Sequence, residues 1–475
     1  MRTGSMDDIE AYVDEVWEDV VAGIAALVAH PSVADAGKSM PGAPFGATVR
    51  DALDCALDIA HRLGYETGDD EGYVGIADIA GELDGHIATI AHVDVVPAGP
   101  GWATDPYVME RREGWLLGRG VIDDKGPAVL SLYAGAYLLS RGIKPRYGFR
   151  ALLGCDEEVG MTDVHHYLES HEQPLFLFTP DAEFPVCNAE KGCFGGMFVS
   201  APIKDGAIES WSGADATNAI PSESVCVLAV PVSELPAPRS HAERLTVEPL
   251  GEGRSRIFAK GIGGHASLPQ GTVNAIALIV DYLQEISAER PDLLSEGERT
   301  YLNLLSIVHE GTAGEGLGIE AESAAFGPLT CNAGTIKVSD GRISQTIDVR
   351  YPDSITCDEM SMICRAHAAR YGAEFVLDST KEPFSTSAES PAVQALLDTY
   401  REVTGKHAEP FSMGGGTYAR NFKSAVSFGP EDNDLELPEW AGTMHGPNEA
   451  ANEALLRDAL KMYILAILRL NELEL

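Results

Sequence analysis

The feature that most constrains this chain is an alternation that stops and then restarts. Up to about Lys191, short apolar segments of strand character (Ile87–Ala91, Phe149–Gly154, Leu175–Phe178) alternate with helical patterns. The helical patterns are carried by Ile9, Val13, Val16, Val20, Ile24 and Leu27, then by Ala47–Leu63 and Pro127–Leu139. Strands separated by helices predict an α/β sheet. From Lys191 to about Pro383 the texture changes. Gly196–Ala201, Val225–Val230, Ser255–Lys260, Gly334–Val338 and Ile343–Val349 read as strands around helices at Val273–Ile286 and Cys357–Tyr371. That predicts an α+β segment with antiparallel sheet. The α/β texture then returns with a helix at Pro391–Val403, a strand at Ala425–Phe428 and a closing helix at Asn448–Leu470. The predicted architecture is a two-domain α/β protein: one α/β domain formed by residues 1–191 and 385–475, interrupted by a lid-like α+β domain at residues 192–384.

Charge narrows the partners. The chain has 34 basic and 73 acidic side chains, a net charge of −39, so it lacks the basic surface that phosphate binding needs. The same balance disfavours an anionic membrane face and favours cations, although solubility alone also accounts for it. The eight cysteines are scattered and form no C-x-x-C pair, so no zinc ribbon or thioredoxin-type site is expected. The chain opens on acidic residues, without a basic-then-apolar leader. No apolar run approaches the length of a membrane span. These features predict a reduced, soluble, cytoplasmic protein with no nucleic-acid or membrane partner.

Metal-type ligands recur at strand ends. In IATIAHVDVVP, His92 and Asp94 stand at i and i+2, on one face of a strand. A neutral imidazole ligates zinc, and a carboxylate beside it can fix its tautomer. In LLGRGVIDDKGP, Asp123 and Asp124 precede a helix, as a solvated cap pair or as a metal bridge. In ALLGCDEEVG, Glu157 and Glu158 follow a buried strand, where α/β sheets place ligand sites. One could hold a metal while the other moves a proton; a surface acidic patch is the alternative. Asp181 follows the strand in LFLFTPDAEFPV, and His445 lies in the loop GTMHGPNEA. Together Asp123, Glu158, Asp181 and a bridging hydroxide would neutralise two divalent ions, the pattern of two-metal hydrolases. Mixed histidine and carboxylate ligands suit Zn²⁺, with Mn²⁺ or Co²⁺ as alternatives.

The motifs HVD, GRGVIDDKGP, DEEVG, PDAEFP, GGHASLP, MGGGTYAR and MHGPNE follow one another in a familiar order. The chain resembles the dinuclear-zinc peptidase family of carboxypeptidase G, aminoacylases and succinyl-diaminopimelate desuccinylase. Among its branches it is most similar to the PepV-type dipeptidases. The resemblance implies a zinc-exopeptidase-like catalytic domain with an inserted lid large enough to mimic a dimer contact within one chain. It also implies one metal on His92 and Asp181 and a second on Glu158 and His445. Asp123 would bridge them, with a cis peptide bond to Asp124. Glu157 would be the general base and Asp94 would orient His92.

In the lid, the resemblance implies that His265 stabilises the oxyanion and that Arg350 grips the substrate carboxylate through a two-pronged salt link. Asn218 would assist at the oxyanion or carboxylate, while Gly415 and Thr417 would belong to a substrate-binding loop. The expected function is hydrolysis of dipeptides with a free N-terminus, by a hydroxide bridging two metal ions. The expected enzyme is a monomer, with a homodimer as the alternative. An N-acyl-amino-acid amidohydrolase with the same centre is the nearest rival, and a metal-bound, non-catalytic scaffold is a more distant one. A glycosidase would explain neither histidine and would need opposed carboxylates.

Overall fold

The computed structural model describes residues 4–475. The described residues divide into two compact units: residues 4–189, 385–411 and 416–475 form the first, and residues 190–384 and 412–415 the second. Ser412–Gly415, which the sequence places with the closing α/β segment, therefore clusters with the second unit. Two bonds explain it: the Ser412 hydroxyl donates to the Phe326 carbonyl, and Arg350 donates to the Gly414 carbonyl.

The first unit is built on a twisted sheet whose neighbouring strands run Glu66–Asp70, Val74–Ile79, Gly148–Gly154, His86–His92, Phe176–Thr179 and Ala425–Ser427. Gly148–Gly154, His86–His92, Phe176–Thr179 and Ala425–Ser427 are mutually parallel, so their carboxyl ends open at one edge. Glu66–Asp70 and Val74–Ile79 pair antiparallel at the other side. The central strand His86–His92 is buried from Ile87 onward, as expected of a parallel strand covered on both faces.

Helices Met6–Val28, Ala47–Leu63, Lys125–Ser140 and Glu453–Glu472 share this core. The first begins at Ser5, whose side chain accepts the Asp8 N–H, and it buries Ile9, Val13, Val20, Ile24 and Leu27 at helical spacing. The last begins at Glu453 rather than Asn448. Ala450–Asn452 pairs instead with Trp115–Leu117, and Asn452 caps the helix by accepting the N–H groups of Ala454 and Leu455. Helix Thr162–Ser170 lies outside the sequence expectation. Of its nine residues only Asp163, Val164 and Tyr167 are buried, too few to set a helical period.

The second unit is antiparallel. Ile208–Ser212, Glu223–Leu228, Arg254–Lys260 and Leu245–Gly251 form one sheet. Thr330–Asn332, Arg342–Tyr351, Gly192–Val199 and Glu374–Lys381, with Ile336–Ser339, form another. Helices Ala275–Glu289, Glu296–Val308 and Cys357–Arg370 complete its core. Among the described residues no helix is long and apolar enough to cross a membrane.

Helix Lys125–Ser140 carries the Asp123–Asp124 turn at its start, and its seating depends on Gly135. A Cβ there would lie 2.2 Å from the Tyr65 hydroxyl and 2.4 Å from Phe149 Cε1. The Tyr65 hydroxyl is held by the Leu132 carbonyl at 2.6 Å and has little freedom to move aside. Gly135→Ala is therefore expected to destabilise the protein by about 1–3 kcal/mol despite the better helix propensity of alanine. Urea unfolding measures this, and a stabilised variant would show that the helix shifts freely.

Candidate active site

The carboxyl ends of three adjacent parallel strands deliver the first ligands: His92 closes its strand, Asp181 follows Phe176–Thr179, and Glu157 and Glu158 follow Gly148–Gly154. Asp123 comes from the turn before helix Lys125–Ser140, and its peptide bond to Asp124 is cis. His445 comes from the loop before Ala450–Asn452, with a left-handed backbone at φ 62°.

Asp123 sits between the histidines. Its Oδ1 is 3.0 Å from His92 Nε2 and its Oδ2 is 2.8 Å from His445 Nε2. Asp181 Oδ2 lies 3.9 Å from His92 Nε2, and Glu158 Oε2 lies 3.3 Å from His445 Nε2. Two ligand groups result, His92–Asp123–Asp181 and Asp123–Glu158–His445, sharing Asp123. With metal–ligand bonds of 2.0–2.2 Å, the edges of a tetrahedral site are about 3.3–3.6 Å. The observed separations bracket that range, so the donors fit two ions of this kind.

His92 is also oriented as a ligand needs. Its Nδ1 lies 3.0 Å from the Asp94 carbonyl, which can only accept, so Nδ1 carries a proton; Nε2, 3.0 Å from Asp123, donates to that carboxylate here and is the nitrogen that would turn to a metal. The Asp94 carboxylate, at 3.4 Å from Nδ1, is the more distant group. Asp94 therefore faces His92 Nδ1 with both its backbone carbonyl and its side chain, the carbonyl being the nearer. The carboxylate also accepts the backbone N–H groups of Glu157 and Glu158, at 3.3 and 3.2 Å, and shapes the loop that presents them.

Negative charge is concentrated here. Burial, Asp181 and Glu158 hold the Glu157 carboxyl well above the usual carboxylate range. Burial and Asp123 push Asp181 up to about 7. Burial would also raise Asp123, but hydrogen bonds from His445 and His92 pull it below the usual range. Hydrogen bonds to Asp123 and Glu158 push His445 up to about 11. The cluster thus recruits positive charge, and its histidines take up protons where metal ions would otherwise supply it.

Three contributors escaped the sequence reasoning. Glu449 is buried, and its Oε1 accepts the N–H groups of Gly120, Ile122 and Asp123 at 3.0, 3.2 and 3.4 Å. Its Oε2 pairs with buried Arg119, whose Nη2 donates to the carbonyls of His445 and Gly446 at 3.1 and 3.2 Å. The pair ties the Asp123 turn to the His445 loop. Its signal was the last letter of MHGPNE, but nothing local pointed to a partner so far away in sequence. Glu431 donates its backbone N–H to the Ala182 carbonyl, beside Asp181. Burial, Asp181 and Asp123 drive its carboxyl far above the usual range.

The remaining expected residues fall differently. His265, Asn218, Arg350 and Gly415 belong to the second unit and Thr417 to the first. His265 and Asn218 are neighbours: Ala219–Ile220 pairs with Gly264–His265, and Asn218 Nδ2 is 3.5 Å from His265 Nε2. Arg350 does not present an open fork. Its Nε and Nη2 bind the two Asp348 oxygens at 2.7 and 3.0 Å, and its Nη1 reaches Cys193 Sγ and the Gly414 carbonyl at 3.0 and 2.9 Å. The expected two-pronged grip on substrate is thus occupied by Asp348, because residues two apart on a strand share a face. Thr417, expected in a substrate-binding loop, is buried; its hydroxyl caps the turn Tyr418–Asn421 and contacts Ser427. A Cβ at Gly415 would meet only Met413 Cε, at 3.9 Å, so no close approach requires glycine there.

Comparison with known proteins identifies the family of the chain. The model of peptidase family M20/M25/M40 matches residues 88–469. A candidate dipeptidase of Bacillus subtilis, YtjP, is 31% identical over 428 residues, covering 87% of this chain and 90% of its own. A candidate dipeptidase of Staphylococcus haemolyticus, SH1171, is 29% identical over 471 residues, covering 96% and 97%. Among solved structures, human carnosine dipeptidase 1 superposes with a TM-score of 0.60 at 15% identity, covering 98% of this chain and 99% of that one. Aminoacylhistidine dipeptidase from Vibrio alginolyticus gives 0.54 at 15% identity, with 95% and 96% coverage.

The Arg119–Glu449 pair yields a direct test. Arg119→Ala leaves a buried carboxylate without its cation, a loss that typically costs about 3–5 kcal/mol. Three backbone N–H groups still serve Glu449, so about 3 kcal/mol is expected in urea unfolding. A loss below about 1 kcal/mol would show that the pair does not hold these loops together.

Proposed function

The chain belongs to peptidase family M20/M25/M40, and on that premise we propose that it is a metal-dependent dipeptidase cleaving dipeptides with a free N-terminus. The observation that carries the proposal is the Asp123 carboxylate with one oxygen toward each histidine, which gives two ligand groups a common member. His92, Asp123 and Asp181 would hold one divalent ion, and Asp123, Glu158 and His445 a second. Zinc is favoured by the mixed nitrogen and oxygen donors, with manganese or cobalt as alternatives. When bound, such ions polarise a carbonyl oxygen and make water a nucleophile at neutral pH. The dipeptidase names of the relatives and of the structural neighbours support the choice of substrate class.

The chain's own residues supply the proton transfers and the positioning. Glu157, beside the ligands, takes the proton of the attacking water and returns it to the leaving amine. Its loop is held by the Asp94 carboxylate through two backbone N–H groups. In the second unit, His265 Nε2 and Asn218 Nδ2 stand 3.5 Å apart, a spacing that suits two donors converging on one oxygen. Arg350 has four of its five N–H groups engaged within the unit, so it offers substrate a positive charge and one remaining Nη2 hydrogen. We propose a cytoplasmic location for the protein.

Metal analysis of the purified protein tests the shared ligand. The wild-type chain is expected to bind two ions, His92→Ala and His445→Ala one each, and Asp123→Ala neither with normal affinity. A single ion in the wild type would overturn the two-ion reading. For the chemistry, an unmodified L,L-dipeptide is compared with its N-acetylated form. Cleavage of the free dipeptide is expected, and preference for the acetylated form would make the enzyme a deacylase. Glu157→Ala should lower kcat by at least about 10²–10⁴-fold with metal content unchanged; near-normal turnover would remove Glu157 as the base.

A further inference from the structure

We infer that Ser267 is a positioning residue that holds His265 as the tautomer with its proton on Nε2, the nitrogen that donates to the substrate oxyanion. The inference rests on the reading of His265 as an oxyanion donor and adds the device that keeps it one.

The argument starts at the ring nitrogen facing away from Asn218. The backbone N–H of Ser267 donates to His265 Nδ1 at 3.2 Å. A backbone N–H can only donate, so it favours a lone pair on Nδ1 and, in a neutral imidazole, the single proton on Nε2. The Ser267 hydroxyl lies 2.7 Å from the same Nδ1 and can turn its hydrogen toward it. Two donors, at 2.7 and 3.2 Å, thus aim at the Nδ1 lone pair and together outweigh the more distant Asn218 amide, 3.5 Å from Nε2. With a proton on Nδ1 instead, N–H would face N–H, and the hydroxyl would have to rotate to accept.

The surroundings fix this geometry from both sides. Before the turn, His265 is paired with Ala219, and after it the Ala266 N–H donates to the Asn218 carbonyl at 2.8 Å. The Leu268 N–H closes the turn on the His265 carbonyl at 3.0 Å. On its other face Ser267 meets Gly414: a Cβ on Gly414 would lie 2.4 Å from Ser267 Cβ, so only glycine lets the two chains approach this closely. The Gly414 carbonyl is itself anchored by Arg350, and Arg350 by Asp348. Ser267 therefore sits in a turn braced by main-chain bonds on one side and by an arginine-held glycine on the other.

The test combines a tautomer measurement with kinetics, using the full chain. In protein labelled with ¹⁵N-histidine, with the His265 signals assigned by loss in His265→Asn, the wild type should show an unprotonated Nδ1 and a protonated Nε2. A proton on Nδ1 in the wild type overturns the proposal. Ser267→Ala keeps the backbone N–H but loses the hydroxyl. It should shift the ring toward a tautomer mixture and lower kcat about 10–100-fold with KM within about twofold, because the lost donation acts on the transition state. Ser267→Thr, which restores a hydroxyl, should recover both the tautomer and kcat. An unchanged tautomer in Ser267→Ala overturns the proposal whatever happens to kcat. A shifted tautomer with unchanged kcat keeps Ser267 as the tautomer-setting residue and removes His265 from the oxyanion role. His265→Ala with unaffected kcat would remove it in the same way. A urea midpoint for each variant separates these effects from misfolding.

Discussion

Everything at this centre depends on one carboxylate being held between two histidines that come from opposite ends of the chain. Asp123 can face His92 with one oxygen and His445 with the other only if the turn before helix Lys125–Ser140 and the loop before Ala450–Asn452 keep a fixed separation. The fold achieves this with a buried ion pair. Glu449 grips the backbone of Gly120, Ile122 and Asp123, while Arg119 grips the carbonyls of His445 and Gly446. A buried pair of this kind adds little net stability. Its contribution is geometric: each partner fixes the loop that carries one side of the site.

The same centre concentrates carboxylates beyond what the histidines can balance. Glu157, Asp181, Glu431 and Asp124 are all driven above the usual carboxylate range, chiefly by burial and then by neighbouring carboxylates, Asp181 and Asp123 foremost. Buried like charges raise each other's affinity for protons or for metal ions. The arrangement is therefore poor as a structural core and well suited to drawing cations. That asymmetry also separates the site from the acidic surface of a chain carrying −39 overall, where solvent screens the charges.

What the sequence revealed and what it hid follow from the range of the interactions involved. The ligand-bearing strand ends were legible because an apolar strand and the polar residue that ends it are neighbours in sequence, as with His92, Glu158 and Asp181. Glu449 and Arg119 were hidden because each has meaning only through a partner that folding alone brings close. Helix Thr162–Ser170 was hidden for a local reason: it starts after Met161 in a left-handed conformation with no capping side chain, so no start signal precedes it. The start of the last helix was misplaced because Ala450 and Ala451 are apolar for the sake of a strand pairing with Leu117 and Leu116. The Asp348–Arg350 pair was legible in principle, since alternate residues on a strand share a face. The resemblance implies a role for Arg350 toward substrate, and Asp348 is the partner it has on its own strand.

The glycine run of MGGGTYAR shows how a motif that reads as one loop can carry separate tasks. Ser412–Gly415 belongs to the second unit, and the first unit resumes at Gly416. Gly414 is constrained by contact, because its missing Cβ admits Ser267 and its carbonyl receives Arg350. Gly415 has no such close neighbour. Thr417, two residues on, spends its hydroxyl on the Ala419 N–H and Ser427 within the first unit. The next residue, Tyr418, carries its hydroxyl to Asp163, which accepts the backbone N–H groups of Cys155 and Asp156 just before Glu157. From Gly414 to Tyr418 the chain thus braces the turn that presents His265 in one unit and the loop that presents Glu157 in the other. The physical demand on the motif is for close packing at Gly414 and for buried hydroxyls at Thr417 and Tyr418, and these demands explain its composition without requiring every residue in it to touch substrate.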